Sequence, residues 1–194
     1  AAEPFHEAIT PFQRSFQKTI GTNNAKYFDD NSWLYFTNER FDLFYPSYGD
    51  TYPIYTGSIG MTYEQAGGAR AGVAVKVDDE SILTLKDRID HHTATGMSTI
   101  EVASKNTAIL YDEFVKYYSN VMSVSKKDYN TFVLRFNKGD ENRFESIKKL
   151  MDLNLIQFGS GSGIIKGYDY FSGKSVDYEI KDQDLVIKTQ QSRS

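Results

Sequence analysis

Phe44-Tyr45-Pro46-Ser47-Tyr48-Gly49-Asp50-Thr51-Tyr52-Pro53 and, shortly after it, Ile59-Gly60-Met61-Thr62-Tyr63-Glu64-Gln65-Ala66-Gly67-Gly68 form the stretch on which the reading of this chain turns. The first run is a tyrosine-rich loop punctuated by two prolines and a glycine. In the second, apolar Ile59, Met61 and Tyr63 alternate with small Gly60 and Thr62, the period of a short strand. Glu64 closes that strand, and the glycines behind it let backbone approach a ligand, so the carboxylate stands at a strand-to-loop edge suited to chemistry. Tyr45, Tyr48, Tyr52 and Tyr55, in a loop rather than a packed element, are candidates for a cleft wall, because a tyrosine offers an apolar body and a polar tip.

On these residues the chain resembles the carboxypeptidase A-like zinc metallopeptidases, and more narrowly a large bacterial secreted or periplasmic subgroup. Tyr45-Pro46-Ser47-Tyr48-Gly49-Asp50 matches the family's tyrosine-plus-turn segment, and Met61-Thr62-Tyr63-Glu64 matches the strand that ends on the catalytic glutamate. The resemblance implies that Glu64 is the general acid/base and Tyr45 the substrate tyrosine, with Tyr48 a rival for that role. It also implies a zinc cofactor in the full-length protein, a peptide substrate, and a periplasmic or secreted location. The family's first zinc ligands come as His-x-x-Glu. Three residues after His6, His91 and His92 stand Ile9, Ala94 and Thr95, so no metal ligand is assigned in this chain.

The totals bound the alternatives. With 194 residues the chain has room for one sizeable core or two small ones. A hydrophobic share of 40% and a charged share of 25% fit a globular protein rather than a disordered or fibrous one. Net charge of −4, with no basic cluster, argues against a nucleic-acid binder. No apolar run is long enough for a membrane span. The absence of cysteine rules out disulfides and thiolate metal sites.

Along the chain, Phe5, Ile9, Phe12, Phe16 and Ile20 recur at steps of three and four, predicting one or two amphipathic helices over 3–30, with Pro11 at an interruption or a first turn. Trp33, Phe36, Phe41 and Phe44 are read as core. Arg70 is read as an ordinary ion-pair residue rather than a substrate contact. Val73–Val77 and Ser81–Leu85 are read as two strands about an acidic turn, and Thr84 with Asp87 as a helix cap. Adjacent His91 and His92 point ~100° apart on a helix and are assigned polar structural roles rather than metal binding. Ser98-Thr99-Ile100-Glu101 has the form of a capping box, opening a long helix through Ile100, Ala103, Thr107, Leu110, Phe114, Tyr117 and Val121. After a polar link at 119–128 the pattern restarts as a strand over 129–136, a helix capped by Asp140, and a strand at 156–158, read as a β-α-β unit. Short strands follow the glycine-rich turn at 159–163.

The expected fold class is therefore α/β. Residues 1–122 would be the C-terminal portion of a zinc-carboxypeptidase-like mixed-sheet catalytic domain, whose N-terminal part is missing here, and 123–194 a small α/β accessory domain. The expected function is part of a metallocarboxypeptidase hydrolysing C-terminal peptide bonds. This chain would supply the general base and substrate tyrosine without zinc ligands and would be inactive alone. The alternative is a non-catalytic domain that binds a peptide or glycan with the tyrosine-rich loop.

Overall fold

The structure, a computed structural model, describes residues 2–6, 8–37, 42–65, 72–77, 80–122 and 129–191. It is a mixed α/β protein of two compact units, residues 1–115 and 116–194. Among the described residues the strands form four two-stranded sheets.

In the first unit, strand β1 (Ala2–Phe5) pairs in parallel with β2 (Asp42–Leu43). Phe5 packs on the buried cluster of Ile9, Leu43 and Ile54. Helix α1 (Pro11–Asp30) thus begins later than the periodicity predicts. The step from Phe5 to Ile9 mimics a helical repeat, but Thr10 is the cap. Its hydroxyl accepts from the Gln13 N–H and its own N–H donates to Gln13 Oε1, with Pro11 in the first turn where its missing donor costs nothing.

Strands β3 (Ala74–Lys76) and β4 (Ile82–Thr84) form the expected antiparallel pair. Part of their acidic turn, Asp78 and Asp79, lies outside the described residues. Helix α2 (Leu85–Lys105) starts at the expected Thr84 and Asp87 box. The second box at Ser98 and Glu101 is a correction: both residues lie inside α2. Residues three apart share a helix face wherever they stand, and here that face meets α1. Asn23 Nδ2 donates to Ser98 Oγ and to Glu101 Oε2, and the Tyr27 hydroxyl donates to Glu101 Oε2.

The single long helix to 120 is also corrected, because Asn106 ends α2 before α3 (Thr107–Met122) begins. The Asn106 side chain donates to the Val102 carbonyl, satisfying a terminal acceptor. The buried face of α2 is Thr95, Ser98 and Val102, whereas Ile100, where the predicted stripe begins, is exposed. Val102 joins Phe16 and Ile20 in the core between the two helices.

The aromatic assignments change as well. Trp33 and Tyr35 stack edge-on against Phe28, which is itself buried. Phe28 thus fills the core at that end of α1, and Phe36, 72% exposed, together with Phe44, is left outside it. Phe41 lies outside the described residues.

In the second unit, β5 (Thr131–Leu134) pairs antiparallel with β8 (Leu185–Lys188), and β6 (Gly163–Asp169) forms a hairpin with β7 (Lys174–Ile180). Helix α4 (Glu141–Leu153) buries Phe144 and Met151 against Leu185. The predicted β-α-β unit is not formed. Residues 156–158 are not a strand, and their neighbour Gly159 makes only an isolated antiparallel bridge to Val186. Asp140 takes the expected N-cap position of α4, with its carbonyl accepting from the Phe144 N–H, but its carboxylate makes no capping bond and accepts from the Asn137 backbone and side chain.

Asp184, 1% exposed, is the polar centre of this unit. It accepts from the N–H groups of Phe136 and Lys181 and from the Tyr178 hydroxyl. Burial pushes its carboxyl upward, but these donors and the Lys181 charge outweigh it and hold the group below its ordinary range.

Candidate functional site

The run 59–65 is laid along α1 by two glutamines that the apolar periodicity passes over. Gln13 Nε2 donates to the carbonyls of Ile54 and Ser58, each at 2.9 Å, and Gln17 Nε2 donates to the carbonyl of Gly60 at 2.7 Å. Four residues along a helix advance ~6 Å and two along an extended chain ~6.8 Å, so glutamines at i and i+4 meet alternate carbonyls in register. Both glutamines are buried, where an unmatched amide would be costly.

Ile59, Met61 and Tyr63 pack on the Phe16, Ile20 and Val102 cluster, so the expected alternation holds. The hydrogen-bonded strand does not, because the run pairs with no other strand among the described residues. Its extended form is imposed by side-chain anchors. The Tyr63 hydroxyl and Thr99 Oγ1 lie 2.7 Å apart, and Gln65 Oε1 is 3.0 Å from His91 Nδ1. Glu64 falls on the opposite face from the anchored residues and is exposed.

The tyrosine loop is rooted at Thr51 and Ile54, both fully buried. The backbone N–H groups of Thr51 and Tyr52 both donate to the Tyr48 carbonyl. Above this base the Tyr45 and Tyr48 rings meet edge to face, 5.4 Å apart, and are 55% and 56% exposed. The Tyr55 hydroxyl instead turns back to the Phe44 carbonyl, and its burial raises its pKa.

Asp50 ties the loop to the run. Thr62 Oγ1 donates to Asp50 Oδ2 at 2.5 Å, and a Cβ on Gly60 would lie 1.7 Å from the Asp50 carbonyl oxygen. Only glycine permits that approach. Since Asp50 is two residues from Tyr48 and Thr62 two from Glu64, this contact brings the two candidate segments to one place.

The histidines take structural surroundings. His91 sits against Phe28 and Trp33, and its burial lowers its pKa against the opposing pull of Asp87 and Asp90. His6 packs on Phe44 and Tyr55 and accepts from the Ala8 N–H. His92 is exposed. Among the described residues, no three His, Asp or Glu side chains converge as ligands for a metal ion. Gly67, Gly68 and Arg70 lie outside the described residues. No described helix is long and apolar enough to cross a membrane.

Gln13, Gln17 and Asp50 are the residues that sequence reasoning missed. A signal existed in the two glutamines four apart beside Phe12, Phe16 and Ile20, polar groups on a face otherwise marked for burial. No family model, no curated protein and no solved structure matches the chain.

Proposed function

We propose that this chain is the Glu and Tyr half of a zinc-dependent carboxypeptidase-like site acting on C-terminal peptide bonds in the periplasm or outside the cell. The observation that carries the reading is the Asp50 contact. It joins an exposed tyrosine pair to a rigidly anchored run that leaves Glu64 exposed on its outer face. Glu64 would take the proton of the attacking water and return it to the leaving amine, while Tyr45, with Tyr48 beside it, would close on the substrate. The zinc this reading implies has no donor set among the described residues, so the roles assigned here concern Glu64, Tyr45 and Tyr48 alone. In the complete protein, Glu64→Gln is expected to lower release of C-terminal residues by ~10²–10⁴-fold. Turnover close to that of the unaltered protein would remove Glu64 from the role.

The exposed Tyr45 and Tyr48 pair supports a second reading, a non-catalytic domain that grips a peptide or glycan by stacking. Binding that survives Glu64→Ala but is lost with Tyr45→Ala and Tyr48→Ala would favour it.

A further inference from the structure

Backbone groups of an extended chain point alternately to its two edges. Along 58–65, the carbonyls of Ser58 and Gly60 face α1 and are taken by Gln13 and Gln17. The N–H and C=O groups of Ile59, Met61 and Tyr63 therefore face the other way. They have no hydrogen-bond partner among the described residues. The side chains of the same three residues are already committed to the core, so the run is held extended whether or not that edge is paired. Such a row of alternating donors and acceptors is a template for one further strand.

We infer that the edge formed by Ile59, Met61 and Tyr63 is a strand-addition site for an extended polypeptide segment carrying basic side chains on its outer face. Six backbone hydrogen bonds are available to an antiparallel partner, two at each of the three residues. The inner face of that partner would continue the apolar layer over Phe16, Ile20 and Val102, which calls for alternate apolar residues. Its outer face would stand beside Asp50, hydrogen-bonded to Thr62, and beside exposed Glu64. The same charges disfavour a second copy of this chain as the occupant. Antiparallel self-pairing about Met61 would bring the two Asp50 carboxylates, held at Thr62 and Gly60, together beside one axis, in a chain of net charge −4. The proposal rests on backbone geometry and holds whether or not Glu64 is catalytic.

The test is residue-resolved amide exchange on the full chain, with and without a blocked seven-residue peptide alternating valine and lysine. The control is the same peptide N-methylated at alternate amides. Saturating peptide is expected to slow exchange at Ile59, Met61 and Tyr63 at least about tenfold while leaving Gly60 and Thr62 unchanged, and the N-methylated peptide to do nothing. Three results would each overturn the proposal. One is an absence of alternating protection. Another is equal protection by the methylated peptide. The third is protection already present without peptide, where dependence on protein concentration would identify a second copy and independence would identify the chain itself as the cover.

Discussion

The side-chain amide of Gln17 donates to the main-chain carbonyl of Gly60 across 2.7 Å, with Gln17 buried in the helical face and Gly60 in the run that carries Glu64. A helix side chain here does what a neighbouring strand does in a sheet. Gln17→Ala leaves that carbonyl buried without a donor and is expected to cost about 1–3 kcal/mol. The sole tryptophan, Trp33, lies in the same unit against Phe28 and His91, so its fluorescence in urea reports this loss separately from the second unit.

Gly60→Ala tests the joint between loop and run. The added methyl meets main chain rather than a movable side-chain end, so the Asp50 turn must shift. We expect a loss of about 1–3 kcal/mol, with faster proteolytic cutting within 44–53. Unchanged cutting would show that the loop does not depend on this contact.

Glu101 makes the first unit acid-sensitive. Hydrogen bonds from Lys105, Asn23 and Tyr27 lower its pKa from 4.5 to about 2. Its folded value lies below its unfolded value, so its contribution is full above pH 4.5 and is lost as pH falls toward 2. Glu101→Gln should flatten the acid limb of the Trp33 unfolding curve over that interval.

His91 acts in a neighbouring window. Burial lowers its pKa from 6.5, so the unfolded chain takes up its proton first as pH falls. The stability linked to neutral His91 is present above pH 6.5 and declines below it. An NMR titration of His91 should give a midpoint below the ordinary histidine value of 6.5. His91→Phe should remove this part of the pH dependence while losing the Gln65 contact.

In the second unit, Asp184→Ala strands two backbone donors and the Tyr178 hydroxyl, and is expected to cost at least ~3 kcal/mol. Burial, followed by the hydrogen bond to Asp184, raises the Tyr178 pKa from 10.0 to about 12. Because the neutral phenol is favoured, its contribution holds below pH 10 and is lost as pH rises through 12. Tyr178→Phe should remove that alkaline loss, and a tyrosinate absorbance titration locates the shifted group.

Local chemistry was legible in the sequence wherever a few adjacent residues settle the outcome. The Thr84 and Asp87 cap, the β3 and β4 pair, α4, and the inward alternation of Ile59, Met61 and Tyr63 all follow from spacing, because capping and facing are properties of one turn or one strand period. Partners distant in sequence were not legible. Ser98 and Glu101 have the form of a cap, and only the approach of Asn23 and Tyr27 makes them a clasp between two helices. Leu134, inside the strand predicted over 129–136 as the start of a β-α-β unit, lies instead opposite Leu185 in an antiparallel pair. Pairing register depends on which segment reaches an edge, and no short window records that. The same division holds at the site. The tyrosine-rich loop and the resemblance it carries marked Glu64, Tyr45 and Tyr48 as candidates. That Gln13, Gln17 and Asp50 hold their segments together was decided only in the tertiary structure, because a buried carbonyl takes whichever donor packing brings within about 3 Å.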